Sequence, residues 1–237
     1  MLADYEVLGS LALLILLEIV LGIDNLVFIA LLVSRLPAGQ RTPARRIGLA
    51  LALIARIGLL TGTRSIMELT RPLFIVSGHG VSWRDLILGA GGIFLLYKAA
   101  SEINEEVEGD RSHSPANTGA PPTLRRAIVQ IVLLDLVFSI DSVITAVGTV
   151  DQIWVMIAAV IVAITVMLVV SASIAEFIGR HPSLKILALG FLLLIGTNLI
   201  AEATGFHIPK GYIYSAMTFA GFVEVMRILA ARHRHEQ

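Results

Sequence analysis

Long apolar runs separated by short polar connections dominate the pattern along this chain. Most of the runs are long enough to cross a hydrocarbon layer of about 30 Å at about 1.5 Å per residue. The third and sixth runs are short and contain glycines, which let transmembrane helices approach closely. The pattern predicts an all-α, polytopic transmembrane helical bundle with seven spans. These are Leu8–Val33, Ile47–Leu69, Leu86–Ala100, Ala127–Val150, Ile153–Ile178, Ile186–Ile200 and Tyr212–Ala230.

The composition agrees with a lipid bilayer as the principal partner. Of 237 residues, 56% are hydrophobic and 15% are charged, against about 25% charged in soluble domains. The 18 basic and 18 acidic side chains give a formal net charge of zero, and the basic residues form no continuous stripe. These two features exclude a nucleic-acid partner. Cysteine is absent, which excludes disulfide bonds and thiolate chemistry. The first run follows acidic residues and lacks a small-residue cleavage site, so we expect a retained span rather than a signal peptide.

Arginine and lysine are concentrated in the connections after the first, third and fifth spans and in the C-terminal tail. Cytoplasmic loops of membrane proteins carry this excess of positive charge. We therefore expect the N-terminus outside the cell and the C-terminus in the cytoplasm. The connection over residues 105–122 begins acidic and becomes rich in Ser, Pro, Asn and Gly, which predicts a flexible cytoplasmic linker.

A short polar motif in the first span recurs in the fourth. It consists of an acid, five residues, a second acid and a small polar residue; the copies are Glu18, Asp24 and Asn25, then Asp135, Asp141 and Ser142. The second and third spans also resemble the fifth and sixth. A repeat of three spans must be inverted in its second copy, as in secondary transporters with midplane sites. The sequence therefore predicts one three-helix repeat over 1–104, an inverted repeat over 123–204, and a seventh helix with a basic tail over 205–237.

The repeated acids are candidate ligands. An ionised carboxylate at the bilayer centre costs at least about 2.5 kcal/mol, so four of them indicate function. The acids of each pair are six residues apart, which is about 120° around a straight helix. Either the helices loosen near Gly22 and Ser139 so that the ligands converge, which we favour, or one acid of each pair serves a neighbouring helix. A third reading is that these side chains only hydrogen-bond one helix to another.

An oxygen-only ligand set selects the type of cation. No histidine lies within a span, so Mn²⁺, Mg²⁺ or Ca²⁺ fits better than Cu(I) or Zn²⁺. Carboxylates that repel one another should hold protons when the site is empty and release them when metal binds. Proton antiport of a divalent cation follows as a hypothesis, with neither enzymatic activity nor a bound cofactor. Arg56 and Lys98 are expected to be counter-charges or to reach the interface, where Glu202 is also expected.

Four segments resemble the TerC family: residues Glu18–Asn25, Leu134–Gly148, His181–Leu189 and Gly205–Tyr214. The likeness covers nearly the whole chain and is greatest to short, YgdQ-type members without added cytoplasmic domains. The family is named for tellurium resistance, is grouped with LysE-type transporters and includes members implicated in manganese export. The resemblance therefore implies a metal exporter of the bacterial inner membrane, with Mn²⁺ favoured. It also implies metal binding by the intramembrane residues Glu18, Asp24, Asn25, Asp135, Asp141 and Ser142.

Two other functional classes fit parts of the pattern. Two aspartates on different spans can share a proton in an intramembrane protease, but neither Asp24 nor Asp141 lies in the Gly-x-Gly-Asp segment of such enzymes. A non-transporting membrane partner, assisting insertion or stress responses, is the other alternative. It predicts that the purified protein binds no metal and that Asp24→Asn combined with Asp141→Asn leaves its activity intact.

Overall fold

The computed structural model describes residues 2–62, 67–76, 79–108, 123–147 and 152–235, without the side chains of 2–6, 23–24, 76, 79, 108, 141, 145–147, 182 and 231–235. Within these ranges the chain forms seven long helices and one two-stranded hairpin. In chain order they are α1 (Leu2–Ser34), α2 (Ala38–Thr61), β1 (Pro72–Val76), β2 (His79–Ser82), α3 (Trp83–Glu108), α4 (Leu124–Val147), α5 (Ile153–Arg180), α6 (Pro182–Ala203) and α7 (Lys210–His235).

Six of the helices, all except α2, are long and apolar enough to cross a membrane. Helix α2 differs because Arg41, Arg45 and Arg46 occupy its first turns and Arg56 lies within its apolar part. The chain is thus a polytopic helical membrane protein, which confirms the predicted fold class. The seventh span stays a prediction.

The segment after α2 is where the structure departs most from the predicted spans. Helix α2 ends at Thr61, capped by a hydrogen bond from the Gly62 amide to the Gly58 carbonyl, and not at Leu69 as expected. Strand β1 then pairs antiparallel with β2 and has a bulge between Pro72 and Phe74. The apolar run of β1 is too short to span a membrane and is bounded by turn residues, which suits a hairpin.

Helix α3 extends further than its apolar run. It continues to Glu108, so the first four residues of the predicted linker are helical, and residues 109–122 lie outside the described part of the chain. The reason is charge pairing at the end of the helix. Arg35, just after α1, contacts Glu102 and lies 2.9 Å from Glu105, while Lys185 of α6 contacts Glu106. Lys98 was expected to be a counter-charge or to reach the interface, and its 2.9 Å contact with Glu102 agrees with the first of these roles.

The turn between α6 and α7 is built by a glycine in the left-handed region. Gly205 has φ of 86°, and its amide donates to the Glu202 carbonyl at 3.0 Å. The Phe206 amide then donates to the Ala201 carbonyl at 2.9 Å. These two bonds satisfy carbonyls that the end of a helix leaves without partners. They also direct the chain back so that Lys210 at the start of α7 lies near the end of α6.

Three helix pairs dominate the packing: α1 with α5, α2 with α4, and α3 with α6. Buried Leu, Ile, Val and Ala side chains of the first six helices form the core, and α7 packs on α6. Under the predicted repeat, α1 corresponds to α4, α2 to α5, and α3 to α6. Exchanging the two copies converts the α1–α5 pair into the α2–α4 pair and maps the α3–α6 pair onto itself, which is the pattern that two symmetry-related repeats require. The inverted repeat itself stays a prediction.

Candidate ion-binding site

Buried charges meet where α1, α2 and α4 come together. Glu18 of α1, Arg56 of α2 and Asp135 of α4 are 5%, 3% and 7% exposed. Arg56 bridges the two acids: its Nη1 donates to Glu18 Oε2, and its Nη2 donates to Asp135 Oδ1 at 3.1 Å. Because a buried charge is costly unless it is paired and hydrogen-bonded, these contacts explain how the three groups can lie inside the bundle.

Two neutral polar side chains complete this group, which we call the central cluster. Asn25 Nδ2 donates to Asp135 Oδ1 at 3.2 Å. The Ser139 hydroxyl accepts from Arg56 Nε at 2.9 Å and donates to Asp135 Oδ2 at 3.2 Å. Helix periodicity makes both additions possible: Ser139 follows Asp135 by one turn, and Asn25 follows Glu18 by two turns, so each pair shares a helix face.

The structure brings together three of the predicted ligands, Glu18, Asn25 and Asp135. Ser142 is buried nearby, but its hydroxyl donates to the Ser139 carbonyl at 3.2 Å rather than to a carboxylate. The side chains of the remaining two predicted ligands, Asp24 and Asp141, lie outside the described residues. Among the side chains that the structure describes, no group of three or more acidic, histidine or cysteine residues could hold a metal ion. The site with all four acids stays a prediction.

The predicted loosening of the helices near Gly22 and Ser139 is wrong, since α1 and α4 are continuous through both positions. Gly22 has a packing role instead: a Cβ atom there would overlap the end of the Met167 side chain of α5. The Ser139 hydroxyl forms hydrogen bonds with Arg56 and Asp135. Continuous helices leave the two other readings, because Glu18 and Asp135 both bind Arg56 of α2. This is expected whether one acid of each pair serves a neighbouring helix or the acids only hydrogen-bond one helix to another.

Arg56 is confirmed as a counter-charge, but the sequence did not reveal how central it is. One guanidinium binds acids from both copies of the motif and the Ser139 hydroxyl as well. The sequence did show an arginine within an apolar run, and a charged residue inside a membrane needs an oppositely charged partner. Helix periodicity does not identify that partner, because the contacts join residues far apart in the chain.

A cavity of about 70 Å³ lies beside the central cluster, enough for a few water molecules. Its polar lining includes Arg56 and Ser142, and also Asn198, Glu202 and Lys210. Glu202 lies at the end of α6, where a residue at the membrane interface was expected, but it is only 5% exposed, so it is buried within the bundle. Its carboxylate lies 3.5 Å from Arg84 Nη2 and accepts from Asn198 Nδ2 at 3.4 Å, and these polar neighbours make burial possible.

Comparison with known proteins gives one family. The family described as "Integral membrane protein TerC family" matches residues 3–237. The inner membrane protein YgdQ of Escherichia coli (strain K12) is 49% identical over 220 residues, which are 93% of this chain and 92% of YgdQ. The inner membrane protein YoaE of the same strain is 48% identical over 237 residues, 99% of this chain and 46% of YoaE. The chain thus spans about half the length of YoaE. No solved structure matches the chain.

Proposed function

The chain belongs to the integral membrane protein TerC family, and from its central cluster we propose that it is a secondary transporter exporting a divalent metal cation. Mn²⁺ is the favoured substrate and protons are the favoured counter-ions. Its relatives YgdQ and YoaE are named inner membrane proteins. We place this chain in the same membrane, with its N-terminus outside and its C-terminus in the cytoplasm, as the distribution of arginine and lysine indicates.

The observation that carries the proposal is that two buried acids from different motif copies share one arginine. Neutralising Arg56 requires only one carboxylate. With both acids ionised, the central cluster has one negative charge in excess inside the bundle. Such a charge is costly in lipid, so it calls for a proton, a metal ion or a further protein cation, and Lys210 of the adjoining cavity interacts electrostatically with Glu18. Exchange of a proton for a metal ion at this position is the chemistry that the charge balance favours.

The ligand chemistry supports a hard cation. The acceptors in the cluster are carboxylate and hydroxyl oxygens, together with the Asn25 amide oxygen, and such ligands suit Mn²⁺, Mg²⁺ and Ca²⁺. In the arrangement described, Arg56 occupies the space between Glu18 and Asp135. A metal ion that binds both acids must displace the guanidinium from at least one of them. Arg56 therefore competes with the metal ion for the two carboxylates, and this competition helps to release the ion.

Metal uptake by inside-out membrane vesicles tests the proposal. With an acidic lumen, wild-type vesicles should accumulate radiolabelled Mn²⁺, and Glu18→Gln and Asp135→Asn should each reduce uptake at least about tenfold, since each removes a charged ligand. Asp24→Asn and Asp141→Asn test the second acid of each motif in the same assay. Competition by Mg²⁺, Ca²⁺ and Zn²⁺ then ranks the substrates.

Glu176→Gln is the matched control, because Glu176 is an exposed glutamate of α5 that pairs with Arg180. It should transport at the wild-type rate. Wild-type uptake no greater than that of vesicles without the protein would overturn the proposal and favour the non-transporting partner. Uptake that persists after the pH gradient is dissipated would overturn proton coupling alone.

A further inference from the structure

We propose that the cavity beside the central cluster is the outer half of the ion path, and that Asn198 and Glu202 form a second, weaker cation site within it. This inference rests on the proposed function, since it concerns the route taken by the same divalent ion. The site is distinct from the central cluster because both of its residues belong to α6, which contributes nothing to that cluster.

The cavity lies towards the end of the bundle at which α2, α4 and α6 end and α7 begins. Arg56 and Ser142, each five residues before the end of its helix, form the part of the lining that we call the inner wall, whereas Glu202 and Lys210 are at the end of α6 and the start of α7. The turn between these two helices is exposed, with Phe206 76% accessible. Under the proposed orientation this is the outer side of the membrane.

At the opposite end of the bundle, ion pairs connect three of the helices. Lys185 at the start of α6 contacts Glu106 near the end of α3, and Arg35 beyond α1 contacts Glu102 of α3. Ion pairs therefore connect α1, α3 and α6 at the cytoplasmic end, while the cavity lies at the outer end. The arrangement gives the central cluster a path to one side of the membrane.

The observation that points to a ligand is a buried oxygen without a partner. Asn198 is 9% exposed, and among the described residues its Oδ1 atom has no hydrogen-bond donor. Its Nδ2 atom donates to Glu202 Oε1 at 3.4 Å, which fixes the amide so that oxygen is the atom left over. A buried amide oxygen is unfavourable unless a donor or a cation satisfies it.

The donor atoms suit a divalent cation, and the positive charges beside them make its binding weak. Asn198 and Glu202 are one helical turn apart, so an amide oxygen and a carboxylate share one face of α6 beside the cavity. Both are oxygen ligands of the kind that hard cations prefer. Arg84, 3.5 Å from Glu202, and Lys210 in the cavity wall reduce the attraction. A site on an exit path must bind weakly enough for the ion to leave.

Cysteine labelling tests the path. The protein has no cysteine, so Ser142→Cys introduces a single thiol at the inner wall of the cavity. In intact cells, a membrane-impermeant cationic methanethiosulfonate should modify this thiol from outside. Ser171→Cys is the matched control, because both serines are buried and both donate to the carbonyl three residues earlier, but Ser171 does not line the cavity.

Modification of Ser142→Cys from outside, with Ser171→Cys unreactive until denatured, is the expected result. If Ser142→Cys is not folded, Leu199→Cys on the cavity wall replaces it. Failure of the folded variant to react from outside, or reaction only in inside-out vesicles, would overturn the outer path. This readout needs no transport activity and is therefore independent of the proposed function.

The second site is tested by Glu202→Gln and Asn198→Leu. Each should lower the maximal rate of Mn²⁺ uptake by inside-out vesicles about tenfold, while equilibrium Mn²⁺ binding to the purified protein persists at the central site. Glu224→Gln is the control, since Glu224 is a glutamate of α7 that is 9% exposed and pairs with Arg227 outside the cavity. Wild-type rates in both test variants would overturn the second site, whereas absence of wild-type transport would overturn the proposed function.

Discussion

Arg56→Met should lower the melting temperature of the purified protein by about 6–20 °C and abolish Mn²⁺ uptake. Removing one partner from a buried ion pair costs about 3–5 kcal/mol, because the remaining charge is left without compensation. In a protein of this size each kcal/mol corresponds to about 2–4 °C. The expected effect is large because Arg56 compensates Glu18 and Asp135 together.

Thermal unfolding in detergent, followed by fluorescence-detected size-exclusion chromatography, measures the change. Asp135→Asn in the Arg56→Met background should recover part of the lost melting temperature, because it removes one of the two uncompensated acids. Arg180→Met is the control, since Arg180 is an arginine 72% exposed in its side chain that pairs with Glu176. A melting temperature for Arg56→Met within about 2 °C of wild type, less than 1 kcal/mol on the same scale, would contradict a structural ion cluster.

Arg56→Lys separates charge from geometry. A lysine keeps the positive charge but lacks the planar group through which three arginine nitrogens contact Glu18, Asp135 and Ser139. We expect its melting temperature to lie between those of wild type and Arg56→Met. A variant as stable as wild type would mean that charge alone holds the cluster together.

The sequence predicted the meeting of the two motif copies in part. Glu18 and Asp135 do converge, and Asn25 joins them on the face shared with Glu18. Burial of acids and the positions of spans follow from local composition, which is why these features could be predicted. The partner that holds the acids, Arg56, could not be identified, because its contacts depend on how α2 crosses α1 and α4.

The predictions were wrong or incomplete where a residue type can have more than one structural role. Gly22 was interpreted as a point of helix loosening, yet it makes room for Met167, and only the neighbouring helix distinguishes these roles. Glu202 was expected at the interface because it is near the end of a span, and it does lie at the end of α6, but its burial within the bundle was not predicted. The structure buries it against Asn198 and Arg84. Its burial depends on α3 and α6 packing side by side, which periodicity within one helix does not indicate.

The close contact between α3 and α6 gives the second large expected effect. Gly92→Val should destabilise the protein by about 3 kcal/mol, near the upper end of typical overpacking costs. A Cβ atom at Gly92 would lie 2.7 Å from the Gly196 carbonyl oxygen and 3.1 Å from the Ile200 amide nitrogen. Since both atoms belong to the backbone of α6, no side-chain rotation relieves the overlap, and the two helices must separate.

A fall in melting temperature of about 6–12 °C follows for Gly92→Val, measured as for Arg56→Met. Gly190→Val in α6 is the control: it makes the same substitution within a helix, but nothing lies within 4 Å of a Cβ atom there. Helix propensity and side-chain volume are thereby matched, so the difference between the two variants reports the α3–α6 contact. Equal melting temperatures for both variants would contradict the close approach of these helices.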